Sequence, residues 1–192
     1  MSGAITYRIA VPEDSDAILE IYRPYAESTA VTFETESPTP EAFRKRTEEI
    51  MKQYPYLVAL QDGTVVGYSY ASPYRSRRGY LWTAELSVYV RKDLHGLGIG
   101  THLYAALLDI LRLQGYQNAV SVLSQPNPES ERLHYHFGFR CVGVQLKCGF
   151  KNGRWCDVAV FERPLGDYPE SPDTPLPFSK LSKETVDRIL HF

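Results

Sequence analysis

One carboxylate, Glu85, stands in the apolar run W-T-A-E-L-S-V-Y-V from Trp82 to Val90. Strand alternation puts Trp82, Ala84, Leu86, Val88 and Val90 on one face and Thr83, Glu85, Ser87 and Tyr89 on the other. A carboxylate amid such residues either faces a wet cleft or is paired with a buried arginine. Directly downstream, Gly96, Gly98 and Gly100 fall within five positions and open a long apolar-periodic run. A glycine-rich turn between a strand and a helix suits anion binding, because the free amides of the first helical turn and the helix dipole both favour negative charge. The alternative is a tight turn without a ligand. Two nucleotide loops are excluded. Thr101 and His102 follow Gly100, so the lysine of a P-loop is missing, and G-I-G-T-H-L from Gly98 lacks the third glycine of a dinucleotide fingerprint. His134 and His136 are a third group. At i, i+2 on a helix their rings point to different faces and no carboxylate or thiol completes a set, so no metal site is expected.

The elements that must position these residues can be read from periodicity and punctuation. Ile5 to Ala10 alternates as a strand. Pro12 and Asp14 open a helix with Ile18, Ile21, Tyr22 and Tyr25 on one face, and Ser28 to Thr39 is a polar loop holding Phe33. Thr39, Pro40 and Glu41 form an N-cap, an N1 proline and an acidic first turn for a second helix. The run from Tyr56 folds as a hairpin across Asp62-Gly63. Tyr74 to Gly79 is a basic loop, and Tyr80 to Val90 reads as one long strand. The helix after the glycine loop runs to Gln114 and stops at Gly115. A short strand N-A-V-S-V-L, a helix from Pro128 to Phe137, and a hairpin of Phe139–Phe150 with Trp155–Arg163 complete the order β-α-α-β-β-β-α-β-α-β-β. This is an α/β fold, a mixed central sheet of about seven strands with helices on both faces. Residues 1–165 form the domain. Residues 166–192 form a proline-rich tail with a short helix at Leu181 to Leu190.

The chain has 192 residues, 43% hydrophobic and 23% charged, which fits one globular domain rather than a disordered segment. A net charge of −2 gives no reason to expect nucleic acid or an anionic membrane as partner. No apolar run nears the roughly 20 residues of a membrane span. The N-terminus has no basic-then-apolar leader pattern, so a cytoplasmic protein is expected. Cys141, Cys148 and Cys156 are odd in number and lack a C-x-x-C, and they read as buried free thiols in strands.

The pattern His95-Gly96-Leu97-Gly98-Ile99-Gly100 after a strand resembles the pyrophosphate loop of the GNAT N-acetyltransferases, although that family more often has Arg or Gln where His95 stands. The element order matches that family, as does the late set Asn127, Ser130, Leu133, His134, Gly138 and Phe139. More closely, the chain resembles the phosphinothricin acetyltransferase-like subgroup through Trp82–Val90, Gly96–Tyr104, Gln125–His134 and Gly149–Val158. The resemblance covers about Ile5 to Arg163.

It implies a GNAT fold and transfer of an acetyl group from acetyl-CoA to an amine. The amine must be neutral, the thioester carbonyl oxygen must be stabilised, and the departing thiolate needs a proton. The resemblance makes Glu85 the general base and His134 the thiolate's proton donor, with neighbouring Tyr135 as a rival. It assigns Val88, Tyr89 and Val90 to the pantetheine arm and the carbonyl, and His95 to Thr101, that is His95, Gly96, Leu97, Gly98, Ile99, Gly100 and Thr101, to the diphosphate. Asn127 and Ser130 fall at further cofactor positions. Arg75, Arg77, Tyr80, Leu81 and Trp82 could hold the acidic head of a small amino acid, since guanidinium suits such anions, and Phe33 could close over it. The implied substrates are phosphinothricin, methionine sulfoximine or a sulfone, and a homodimer is implied too. Two rivals stand beside this reading: an acetyltransferase for another small amine or a peptide N-terminus, and an acyl-CoA-binding module without turnover. The bulky aromatics before Glu85 favour a closed pocket over a peptide groove. Glu85 and His134 together argue against a silent module.

Overall fold

The computed structural model describes residues 3–191. Seven strands form one sheet in the order β1-β2-β3-β4-β5-β7-β6: β1 (Ile5–Ile9), β2 (Tyr56–Gln61), β3 (Thr64–Pro73), β4 (Thr83–Val90), β5 (Asn118–Ser124), β6 (Arg140–Lys151) and β7 (Arg154–Pro164). The helices are α1 (Ser15–Ser28), α2 (Pro40–Met51), α3 (Ile99–Gln114), α4 (Pro128–His136) and α5 (Lys183–Leu190). This is the expected mixed sheet.

The local signals act as chemistry dictates. Thr39 Oγ1 accepts the Ala42 amide at 3.2 Å and caps α2. Gly115, at φ 90°, ends α3. Asp62 (φ 50°) with Gly63 (φ 79°), and Asn152 (φ 50°) with Gly153 (φ 73°), turn the two hairpins in the left-handed region those residues tolerate. Two cores result. Ala84, Leu86 and Val90 face α3, with Leu103, Leu107 and Leu111 behind them. On the other face Ile18, Tyr22, Tyr25 and Phe43 of α1 and α2 cover Tyr56, Val58 and Tyr68, with Tyr89 packed against them.

Two details differ from expectation, and the tail adds a third observation. β4 begins at Thr83, because Arg78–Tyr80 coil into a 3-10 turn. Cys141 and Cys148 are exposed, since β6 is an edge strand open to solvent along nearly its whole length, and Cys156 alone of the three is buried. The tail closes on the domain. The Leu176 amide donates to Gln114 O at 2.8 Å, Gln114 Nε2 donates to Leu176 O at 2.7 Å, and Val186 and Leu190 of α5 join the α3 core. Among the described residues no helix is long and apolar enough to cross a membrane.

One topological feature builds the site. β4 and β5 are parallel but pair only over Thr83–Glu85 with Asn118–Val120. β4 continues to Val90 against β3 alone. The sheet therefore forks beyond Glu85, and among the described residues Ser87–Val90 has no strand partner on that side.

Candidate functional site

A cleft of about 480 Å³ opens at this fork. Its apolar wall is Val88, Tyr89, Val90, Leu94, Ile99 and Leu133, and its polar rim includes Thr101, Asn127, Ser130 and Arg132. Of the residues expected to hold a cofactor, Val88, Tyr89, Val90, His95, Gly96, Gly98, Ile99, Gly100, Thr101, Asn127 and Ser130 line this cleft together. Leu97 does not; it is exposed on the outside of the turn.

Gly96 (φ 82°) and Gly98 (φ 80°) adopt backbone that L side chains rarely accept, and the space where each Cβ would stand is open. Among the described residues no side chain caps α3 at Gly98, and the first-turn amides, without partners there, line the cleft at the positive end of the helix. These donors with Arg132 suit a diphosphate, and the valine-lined gap suits an extended apolar arm with amides of its own. The residues present thus fit a coenzyme A thioester. His95 is tied elsewhere: Tyr25 Oη donates to Val90 O at 2.6 Å and lies 2.8 Å from His95 Nε2. Burial pushes the Tyr25 phenol up to about 12, so it stays a neutral donor. The ring braces the end of β4 while the neighbouring main chain faces the cleft.

Glu85 lies three residues before Val88, roughly 10 Å along the strand, at the last β4 position paired to β5. Its side chain is on the Tyr89 face, as alternation requires. Among the described residues it makes no ion pair and no hydrogen bond, so the buried-arginine alternative is not realised. Burial raises its pKa above the usual carboxylate value. Tyr70, on the adjacent strand, is raised first by burial, with smaller contributions from Glu85 and from Glu34 of the α1–α2 loop.

His134 is 2% exposed and is not in the cleft wall. Its Nδ1 donates to Ser130 O at 2.6 Å, which leaves Nε2 to accept from Tyr104 Oη at 2.9 Å. Ser121 Oγ is 2.8 Å from Tyr104 Oη and 3.3 Å from Leu86 O. The string Ser121–Tyr104–His134 thus begins at the apex of the fork and runs inward. Burial lowers the His134 pKa, which favours the neutral ring. Tyr135 is exposed, its ring against Phe161.

The residues expected at the amine are not gathered in the cleft. Arg75 stacks on Tyr74 and Tyr80, its guanidinium 4.8 and 5.0 Å from their centroids, and donates to Tyr80 Oη at 3.0 Å. Arg77 is exposed, and Leu81 is half-buried beside the 3-10 turn. Trp82 Nε1 donates to Asp173 O of the tail at 2.7 Å, so its polar edge serves the tail. Phe33, 38% exposed, lies on Gly149. Sequence reasoning overlooked Tyr25, Val31, Leu94, Glu129, Arg132 and Leu133 as cleft residues. For Arg132 a signal existed in its closeness to Ser130 on α4. For Val31 there was none.

The sequence matches the family model described as Acetyltransferase (GNAT) domain over residues 7–160. It is 37% identical over 159 residues to a phosphinothricin N-acetyltransferase of Streptomyces viridochromogenes, covering 83% of this chain and 87% of that one. It is 32% identical to the L-methionine sulfoximine/L-methionine sulfone acetyltransferase of Salmonella typhimurium, over 85% of this chain and 96% of the relative. The crystal structure of a phosphinothricin acetyltransferase from Sinorhizobium meliloti in complex with AcCoA superposes with a TM-score of 0.85 at 35% identity, covering 90% of this chain and 95% of the other.

Proposed function

The chain belongs to the GNAT family of acetyl-CoA-dependent acetyltransferases, and from that premise we propose that it acetylates the α-amine of a small amino acid analogue of the phosphinothricin or methionine sulfoximine type, with Glu85 as general base. The observation that carries this reading is an unpaired, half-buried carboxylate at the apex of a strand fork that ends in free helix N-terminal amides.

Acetyl-CoA, when bound, supplies an acyl carbon activated as a thioester. Amides of Ile99, Gly100 and Thr101 hold its diphosphate, and the open side of Val88–Val90 receives the arm as a neighbouring strand would. A β4 amide at the fork offers a hydrogen bond where the carbonyl oxygen gains charge. Glu85, its pKa raised by burial, accepts a proton from the incoming ammonium, directly or through one water. To serve the departing thiolate His134 must first carry a proton on Nε2, which then passes through the hydroxyls of Tyr104 and Ser121 to the fork. Arg75 and Arg77 attract the acidic head of the amine as it enters. The bare face of β6, with Val142, Val144 and Leu146 exposed beside Phe150 and Trp155, fits pairing with a second copy of the chain. A cytoplasmic setting suits three free thiols.

Thiol release from acetyl-CoA with a panel of phosphinothricin, methionine sulfoximine, methionine sulfone, ordinary amino acids and a peptide N-terminus tests the assignment. The first three should be turned over best. A preference for the peptide would move the chain to another acceptor class, and silence with every amine would leave a binding module. In the same assay His134→Ala should lower kcat about 10²-fold, within the usual range for a proton donor, while Tyr135→Phe leaves it unchanged. The reverse result would move the role to Tyr135.

A further inference from the structure

β6 is exposed along nearly its whole length, yet its last residue, Lys151, is 3% exposed. Apolar burial cannot explain a lysine there, because an ammonium enters the interior only with partners. Its partners are main-chain carbonyls more than a hundred residues away: Nζ donates to Ala26 O at 2.5 Å and to Thr32 O at 2.7 Å. Ala26 lies in the last turn of α1, which ends at Ser28, so its carbonyl has no helical partner and sits at the negative end of the helix. Thr32 lies in the loop that follows. One ammonium therefore ties the exit of α1 to the loop leading to α2.

The loop is gripped beside that tie. Thr32 Oγ1 is 2.8 Å from Tyr22 Oη, and Glu34 pairs with Arg46. Between them Phe33 lays its ring on Gly149, where a Cβ would overlap Cζ and Cε1 of the ring. A register shift between Gln145 and Gly149, with Lys147 at φ 50°, re-aims the end of β6, as bulges do, so that Gly149 meets the ring and Lys151 turns inward. Val31 stands at the rim of the cleft, ahead of the tied Thr32, whereas Glu34 lies beyond the tie and acts on the Tyr70 phenol together with Glu85.

We propose that Lys151 and Gly149 form a latch that fixes the α1–α2 loop and so sets the position of Phe33 and the size of amine the pocket accepts. Lys151 is a positioning residue, and Gly149 determines specificity by lacking a side chain. The assignment to amine selection rests on the function proposed above; the latch itself does not.

The test pairs Lys151→Met, which keeps length and suits a buried site, with Gly149→Ala. Hydrogen exchange is followed over residues 29–39, and steady-state constants are measured for methionine sulfoximine and acetyl-CoA. In Lys151→Met, exchange of 29–39 should quicken about tenfold, as expected for losing hydrogen bonds to a charged donor, while α3 is unchanged. The KM for the amine should rise about tenfold with kcat and the KM for acetyl-CoA nearly constant, the mark of lost ground-state binding. In Gly149→Ala, the kcat/KM ratio between methionine sulfoximine and a smaller amino acid should shift about tenfold, the order of one methylene in a pocket. Unchanged exchange in Lys151→Met overturns the latch. Both KM values rising together would mean general loosening and also overturn it. Faster exchange with a wild-type protein that acetylates no amine keeps the latch and sinks its role in selection.

Discussion

Ser87–Val90 and Thr83–Leu86 belong to one strand, but their surroundings are made in different ways. The far half opens on a gap that meets main-chain amides of a turn only a few residues downstream, beside the polar side chains of α4. The near half carries Glu85 at the last position paired to β5, just after Trp82, whose indole is tied to the Asp173 carbonyl of the tail. Recognition by backbone needs only the right φ angles at one or two glycines. Recognition by side chains needs several distant segments held at once. The first is robust to change of outer side chains, and the second is where relatives with one chemistry can differ in what they accept.

Glu85→Gln should give the largest break between the halves. We expect kcat to fall about 10²–10³-fold, within the range for a lost general base, with the KM for acetyl-CoA unchanged. The wild-type rate should climb as pH rises through the elevated Glu85 pKa, because the ionised form does the work, and the variant should lose that rising limb. Burial favours the neutral carboxyl. The stability this group contributes is therefore full below its unfolded pKa and is lost as pH rises past the folded value. A variant with the wild-type pH profile would remove Glu85 from catalysis.

Gly98→Ala should act on the other half alone. A side chain at φ 80° strains the turn by about 1–2 kcal/mol, so calorimetry should find acetyl-CoA binding weakened about tenfold. Amine KM at saturating cofactor should hold. If amine affinity drops equally, the halves are not independent.

Trp82→Phe tests the smallest contribution. It removes the bond to Asp173 O, a neutral hydrogen bond worth about 0.5–1.5 kcal/mol, and should lower Tm by roughly 2–4 °C in a chain of this size. Amine KM should move only about twofold. A tenfold change would place the indole in the pocket itself.

The same contrast explains how much was legible in the sequence. The glycine loop, the two hairpin turns, the Thr39 cap and the alternation around Glu85 are local, and each appears in the structure where its chemistry puts it. The burial of His134 could not be read from α4, because it depends on Tyr104 of α3, Phe139 ahead of β6 and Phe161 of β7. The tie between Lys151 and Ala26 leaves no sequence signal, since a lysine ending a hairpin strand reads as a surface residue. Trp82 read as a pocket aromatic because a tail carbonyl ninety-one residues later has no sequence mark. The start of β4 slipped to Thr83 because β-forming Tyr80 and Leu81 were overruled by the turn at Arg78.

The chain has two tryptophans. Trp82 sits where the tail meets the strand bearing Glu85, and Trp155 stands 62% exposed on the bare face of the last hairpin. The protein thereby carries an optical probe at each of two distant places. Emission from the first indole follows the seating of the tail on the domain. If a second copy pairs along the last hairpin as proposed, emission from the second would shift on dilution, so a single unlabelled sample would follow the two events apart from each other.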